Sequence, residues 1–133
     1  MNKVIPIKGV IFDLDNTLLD FMKMKEVAVK SAIKGMIEAG LEIDEGRSYS
    51  DIISIYEEFG WENQKVFDVF LNKSIGYVDN KFLAAGVVAY RRAREANLLA
   101  YPNVNRTLVG LTKLGIKLAV VSDAPSREAW MRI

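Results

Sequence analysis

Residues 9–19 read GVIFDLDNTLL, and this stretch decides the fold and the chemistry to look for. Its first four residues are almost entirely apolar, which is typical of a short strand buried on both faces of a parallel sheet. Two carboxylates, Asp13 and Asp15, follow directly, and Thr17 comes two residues later. Ligands bind outside the carboxyl ends of the strands in such sheets. The stretch therefore predicts a site at the end of a strand.

Two ionised carboxylates this close together repel each other, which costs free energy unless a cation binds between them or one of them is protonated. An aspartate is ionised at neutral pH and can attack phosphorus, forming an acyl phosphate that water then cleaves. The second carboxylate could protonate the leaving oxygen and later accept a proton from water. A magnesium ion could shield the phosphate from the nucleophile. The spacing alone leaves another interpretation open, a polar turn whose carboxylates cap the next helix.

A calcium-binding EF-hand loop also begins with Asp-x-Asp, but it needs glycine at its sixth position and glutamate at its twelfth. Counted from Asp13, these positions hold Leu18 and Met24. A strand also precedes the motif here, where an EF-hand has a helix. The pattern disfavours a calcium loop.

The composition excludes several classes of function. The chain has 133 residues, of which 50% are hydrophobic and 26% charged, as in an ordinary globular domain with room for one core and a small lobe. A net charge of +1 lacks the excess of positive charge that is typical of proteins that bind nucleic acid or an anionic membrane. The absence of cysteine and histidine excludes disulfides, thiolate catalysis, Ser-His-Asp triads and histidine metal sites. We expect a cytoplasmic protein with no nucleic-acid or membrane partner.

A second strand is predicted at Ile116–Val121, and it ends at Ser122 and Asp123. Helices are predicted between the strands over about Phe21–Ala39, from an N-cap at Ser50 to Gly60, over Trp61–Ile75, from an N-cap at Asp79 to about Asn97, and over about Arg106–Leu114. Parallel strands need a crossover, but one of roughly 80 residues is unusually long and should hold its own core. The order predicts a helical lobe inserted into an α/β core.

Phe12-Asp13-Leu14-Asp15-Asn16-Thr17-Leu18 resembles the first signature of the haloacid dehalogenase-like hydrolase superfamily. Val120-Val121-Ser122-Asp123 resembles its second, a strand that ends in serine or threonine after an inserted helical cap. The segment from Tyr101 to Ile116 resembles the return from cap to core. The resemblance implies a Rossmann-like parallel-sheet core, here incomplete, from residues 1–18 and 102–133, with a helical cap at 19–101.

The resemblance also implies a magnesium-dependent phosphomonoester hydrolase that acts on a small phosphorylated metabolite through a phospho-aspartate. Asp13 would be the nucleophile and a metal ligand, and Asp15 the general acid and base, with its backbone carbonyl also contacting the metal. Thr17 would orient the loop. Ser122 would bind the phosphoryl group, next to Asp123, where many relatives have asparagine. Family dehalogenases typically lack the second aspartate, so Asp15 favours phosphate chemistry.

Two further parts of such a site, a lysine and acidic metal ligands, would come after the second strand, and the sequence up to Ile133 offers no counterpart for the acids. We therefore expect a C-terminally truncated chain with weak or no activity and self-association through an open sheet edge. Two alternatives stay open. One is a non-catalytic fragment of the same fold that serves subunit or partner contacts. The other is a phosphotransferase or phosphomutase of the same fold.

Overall fold

The computed structural model describes residues 4–133, so the first three residues of the predicted core segment 1–18 lie outside it. Its elements in chain order are β1 (Gly9–Phe12), α1 (Phe21–Glu38), α2 (Glu45–Phe59), α3 (Val66–Ile75), α4 (Asn80–Asn97), α5 (Val104–Lys113), β2 (Lys117–Val120) and α6 (Ser126–Arg132). They form two compact units, one from the residues up to Phe21 together with Leu98–Ile133, the other from Met22–Asn97. The role of residues 19–101 as a cap stays a prediction.

The first unit is built on a parallel pair of strands. Gly9 of β1 lies opposite Lys117 of β2, and Phe12 lies opposite Val120. The backbone N–H of Val121 donates to the carbonyl of Phe12 at 2.8 Å, which extends the pairing to the end of both strands. Both strands therefore end at the same edge of the sheet. The predicted α/β fold with a parallel sheet is confirmed.

The prediction that β1 is buried on both faces is wrong for the described residues. Ile11 is 70% exposed, and Val121, just beyond β2, is 64% exposed. Within residues 4–133 the sheet has two strands, and α5 packs against β2. Little apolar surface is therefore available in this part of the chain to cover Ile11.

The second unit is a helical bundle with its own core. On α1 the buried side chains of Val29, Ile33 and Met36 recur at the spacing of one helix face. They join buried side chains of α2 and α3 in one cluster, whose members are Val29, Ala32, Ile33, Met36, Leu41, Ile52, Ile55, Tyr56, Val66, Phe67, Phe70 and Leu71. None of the helices in residues 4–133 has the length and apolar character that a membrane crossing needs.

The predicted starts of α2 and α3 are wrong, whereas the predicted start of α1 at Phe21 and the N-cap of α4 are confirmed. Asp44, not Ser50, caps α2, because its carboxylate accepts from the backbone N–H of Arg47 at 2.8 Å. α3 begins at Val66 rather than Trp61, since Trp61 lies in the preceding turn and stacks on Tyr56 with ring centres 5.6 Å apart. Asp79 caps α4 as predicted, and its Oδ1 accepts from Lys81 N at 2.8 Å.

Candidate active site

Asp13 is the first residue after β1, and its side chain is exposed. Ser122 comes two residues after β2, whose last residue pairs with the last residue of β1. The loops that carry Asp13 and Ser122 therefore leave neighbouring strands at the same edge. This is the placement at which parallel sheets bind ligands.

The loop from Asp13 to Leu19 is a tight turn around Leu14. The Leu14 side chain is 3% exposed, and its carbonyl accepts from the backbone N–H groups of Leu18 at 2.9 Å and Leu19 at 3.1 Å. Asn16 takes a positive φ of 58°, a conformation in which asparagine is enriched. The anchored leucine lies between the two aspartates, so the backbone on either side of it is fixed.

The chain that returns from the helices holds the other end of this loop. The N–H of Tyr101 donates to the carbonyl of Leu18 at 3.0 Å, and the N–H of Asp20 donates to the carbonyl of Leu99 at 3.0 Å. These two bonds hold the C-terminal end of the Asp13–Leu19 loop, and the bond from Val121 N–H to the Phe12 carbonyl holds the residue before its N-terminal end. A fixed loop suits a catalytic site, because reacting groups must be placed before the substrate arrives.

Within the loop, Thr17 contacts Asp13. Its Oγ1 donates to Oδ2 of Asp13 at 3.0 Å. The sequence placed these residues in one motif, and the structure brings their side chains together. A hydroxyl bound to one carboxylate oxygen restricts the rotation of the carboxylate group, so the position of the other oxygen, Oδ1, is fixed as well.

Asp15 is half-buried and forms an ion pair that the sequence did not predict. Nη1 of Arg132, on α6, lies 2.6 Å from Oδ2 of Asp15, and the two side chains are 6% and 16% exposed. The guanidinium carbon of Arg132 lies 4.9 Å from the centre of the Phe21 ring. The two residues are 117 positions apart in the chain, so no local pattern could have indicated the contact.

Ser122 and Asp123 begin the turn that leads into α6. Ser122 is half-buried, and its Oγ accepts from the backbone N–H of Ala124 at 3.1 Å. A hydroxyl that accepts one hydrogen bond keeps its own proton for donation. Asp123 is exposed at the same turn.

Asp13 and Asp15 are the predicted metal ligands. In the part of the chain that the structure describes, no group of three or more carboxylate, histidine or cysteine side chains lies close enough to hold a metal ion. Carboxylate and backbone carbonyl oxygens suit magnesium, which keeps several waters when proteins supply few ligands. The residues present therefore fit part of a magnesium site.

The model of the haloacid dehalogenase-like hydrolase family matches residues 7–133. The chain belongs to this family. The membership predicted from the two motifs is confirmed.

Curated relatives in the family support the assignment. A glyceraldehyde 3-phosphate phosphatase of Methanopyrus kandleri is 37% identical over 129 residues, covering 96% of this chain and 55% of that protein. Another, of Methanocaldococcus jannaschii, is 34% identical over 127 residues, covering 96% of this chain and 56% of that protein. The chain spans about half the length of the curated relatives it matches.

The fold also has a counterpart among solved structures. A β-phosphoglucomutase candidate from Thermotoga maritima superposes with a TM-score of 0.66 at 21% identity, covering 95% of this chain and 54% of that one. At this identity the likeness concerns the fold alone. It supports the α/β fold described above.

Proposed function

We propose that the protein containing this chain is a phosphatase that hydrolyses a small phosphomonoester through a covalent phospho-aspartate at Asp13. The observation that carries the proposal is the exposed Asp13 carboxylate at the end of β1, oriented by Thr17 at 3.0 Å. Asp15 lies two residues away, and Ser122 follows the neighbouring strand. The activity named for the curated relatives favours a phosphorylated triose such as glyceraldehyde 3-phosphate as substrate.

In the first step, an oxygen of Asp13 attacks phosphorus while the bond from phosphorus to the leaving oxygen breaks. Thr17 occupies Oδ2, so we assign the attack to Oδ1. Asp15 gives its proton to the leaving oxygen, which departs as an alcohol. The product of this step is an acyl phosphate on Asp13.

In the second step, water attacks the phosphorus of phospho-Asp13, and the bond between phosphorus and the Asp13 oxygen breaks. Asp15 accepts the proton of the attacking water. Inorganic phosphate leaves, and Asp13 is again an ionised carboxylate. Asp15 thus serves as acid and then as base, so its proton count is restored in each cycle.

The phosphoryl group carries negative charge that the site must offset. Ser122 would donate its hydroxyl proton to a phosphoryl oxygen while Ala124 N–H stays bound to its lone pair. Asp123 would contribute its backbone N–H to the same group. Magnesium, held by the Asp13 carboxylate and the Asp15 backbone carbonyl, would neutralise charge between nucleophile and phosphate. The cap role of residues 19–101, self-association through the open edge and the cytoplasmic location stay predictions.

The test measures phosphate release from glyceraldehyde 3-phosphate by the full-length protein, with and without magnesium. Asp13→Asn is expected to lower kcat by more than about 10³-fold, because it removes the nucleophile. Asp51→Asn is the matched control, since Asp51 is an exposed aspartate of α2. Wild-type turnover in Asp13→Asn would refute the assignment of the nucleophile. Transfer of phosphate to a sugar, with no free phosphate, would indicate a phosphotransferase instead.

A further inference from the structure

A cavity of about 520 Å³ lies in the helical unit, between α2 and the C-terminal half of α3. This volume falls within the range of about 300–1,000 Å³ that small-molecule sites occupy. Every residue of its lining belongs to Met22–Asn97, and none of them is a candidate active-site residue. The proposed phosphatase reaction makes no use of this cavity.

The residues that α2 contributes to the lining recur on one face of the helix. Arg47 and Ser48 lie in its first turn, Asp51 lies one turn later, and Ile55 lies one turn after that. One helical turn advances by about 5.4 Å. The face therefore presents a cation beside a hydroxyl, then a carboxylate, then an apolar side chain, in that order along the helix.

Ser48 is a buried polar residue in this lining. Its side chain belongs to a residue that is 4% exposed, and within residues 4–133 its hydroxyl forms no hydrogen bond. By contrast, the exposed Ser50 donates from Oγ to the carbonyl of Gly46 at 3.2 Å. Buried hydroxyl groups are normally paired, because leaving one unpaired costs free energy. A molecule bound in the cavity can supply the partner of Ser48.

Charged side chains of both signs surround the cavity. Arg47 and Lys73 are exposed cations, and Asp51 is an exposed carboxylate. In the described part of the chain, none of these three side chains takes part in an ion pair or a hydrogen bond. A fourth, Asp44, has one oxygen engaged, because its Oδ2 accepts from the backbone N–H of Arg47 at 2.8 Å. Two cations and one carboxylate are thus available to a ligand.

A ligand that suits this lining carries charges of both signs and an apolar part. A phosphorylated sugar brings about two negative charges, which the carboxylates of Asp44 and Asp51 would repel. A metal ion or another bare cation would meet Arg47 and Lys73. A neutral apolar molecule would leave the buried hydroxyl of Ser48 unpaired. A zwitterion avoids all three costs.

We propose that this cavity binds a free α-amino acid with an apolar side chain. The carboxylate of the ligand accepts hydrogen bonds from the Ser48 hydroxyl and the Arg47 guanidinium, and its ammonium group donates to Asp51. Its apolar side chain packs on Ile55 and Phe70, which are 2% and 1% exposed. Binding involves no covalent step and does not depend on the proposed phosphatase reaction.

The spacing along α2 fits the two charged groups of such a ligand. An α-amino acid carries its carboxylate and its ammonium group on one carbon atom, so their partners in the protein must be close neighbours. Residues three or four apart are neighbours on a helix surface, with about 5–6 Å between their Cβ atoms. Ser48 and Arg47 stand in this relation to Asp51. Lys73, from the last turn of α3, adds a second positive charge that offsets Asp44.

The experiment measures the binding of L-leucine to the full-length protein by NMR titration. We expect a Kd below about 1 mM. Binding should be at least about 10-fold weaker for 4-methylpentanoate, which lacks the ammonium group, and for 3-methylbutylamine, which lacks the carboxylate.

Variants of the lining assign each contact. Asp51→Asn should weaken the binding of leucine at least about 10-fold and leave that of 4-methylpentanoate unchanged, because Asp51 contacts only the ammonium group. Ser48→Ala and Arg47→Met should weaken the binding of both. Glu57→Gln is the matched control, because Glu57 is an exposed acidic residue of α2 outside the lining. Phosphatase turnover is measured without amino acid, so Asp51→Asn remains a control for that reaction.

Three results would overturn the proposal. The first is the failure of L-leucine, L-valine and L-phenylalanine to bind at concentrations up to about 10 mM. The second is an equal Kd for leucine in wild type and Asp51→Asn, or equal Kd values of the wild type for leucine and 4-methylpentanoate. The third is tighter binding of glyceraldehyde 3-phosphate than of leucine that Ser48→Ala weakens, since this would assign the cavity to a phosphorylated ligand.

Discussion

Thr17 donates a hydrogen bond from Oγ1 to Oδ2 of Asp13 at 3.0 Å, across the turn that carries both aspartates. The turn is anchored by the buried side chain of Leu14, so the donor and acceptor are held by fixed backbone. Thr17 thus holds the carboxylate of Asp13, the proposed nucleophile, through a single contact at Oδ2.

Thr17→Val is expected to lower kcat of the proposed phosphatase reaction by about 10- to 150-fold, because hydrogen bonds to charged groups contribute about 1.5–3 kcal/mol. Thr17→Ser keeps the hydroxyl and should stay within about threefold of wild type by the same estimate. Steady-state kinetics on glyceraldehyde 3-phosphate make the comparison. If valine and serine variants have equal kcat values, Thr17 does not orient Asp13.

Replacing either of two helical glycines by alanine should change the free energy of unfolding, and the two changes should have opposite signs. A Cβ on Gly35 of α1 would lie 2.9 Å from the Ala85 carbonyl oxygen and 2.9 Å from the Ala89 Cβ of α4. Overpacking of this kind costs about 1–3 kcal/mol, which exceeds the gain of up to about 1 kcal/mol from helix propensity. Gly35→Ala should therefore lower the free energy of unfolding.

Gly110 of α5 provides the matched control, because a Cβ there meets nothing within 4 Å. Gly110→Ala should raise the free energy of unfolding by up to about 1 kcal/mol. Urea denaturation of both variants measures the difference. A Gly35→Ala protein that is more stable than wild type would show that α1 and α4 do not approach as closely as described.

Burial of Tyr56 predicts a loss of stability in alkaline solution. Burial of its hydroxyl, together with the neighbouring Tyr90, raises the pKa of Tyr56 far above its ordinary value of 10.0. Above about pH 10 the tyrosine ionises in the unfolded chain but stays protonated in the folded one. Ionisation therefore stabilises the unfolded state relative to the folded state. Below the pKa of tyrosine in the unfolded chain, ionisation of Tyr56 does not lower the free energy of unfolding. Above that pKa the free energy of unfolding falls as the pH rises, by at most about 1.4 kcal/mol per pH unit.

The measurement is the free energy of unfolding between about pH 9 and pH 11, the window around the unfolded pKa of tyrosine. Tyr56→Phe should lose less stability across this window than wild type does. Tyr77→Phe is the matched control, because it removes the hydroxyl of a tyrosine that is 57% exposed. The charged neighbours Lys25, Glu62 and Arg94 are unchanged in both variants. Identical slopes for wild type and Tyr56→Phe would argue against the buried hydroxyl as the cause.

Local sequence patterns predicted most of the fold. The apolar run before Asp13 gave β1, and helical periodicity gave the buried stripe of Val29, Ile33 and Met36 on α1. The N-cap at Asp79 was predictable because its side chain binds backbone within three residues. The start of α2 was missed, since Asp44 and Ser50 are both good capping residues and only the folded backbone chooses between them.

The candidate site divides in the same way. Asp13, Asp15 and Thr17 stand in one motif, so their proximity followed from the sequence. The contact of Arg132 with Asp15 could not be predicted, because the two residues are 117 positions apart and their contact depends on how α6 packs in the folded chain. The exposure of Ile11 was missed for a related reason: an apolar run indicates what a strand can bury, and the described residues cover only part of it.

The central claim is that Asp13 is phosphorylated during turnover, and chemical trapping tests it most directly. Borohydride reduces an acyl phosphate of aspartate to homoserine, and cleavage after Lys8 and Lys23 releases residues 9–23 as one peptide. Fragmentation of that peptide by mass spectrometry locates the modified residue. The account predicts homoserine at position 13 when the protein is quenched during turnover of its phosphate substrate, and none without substrate. Turnover with an unmodified Asp13, or with the change at Asp15 instead, would contradict it.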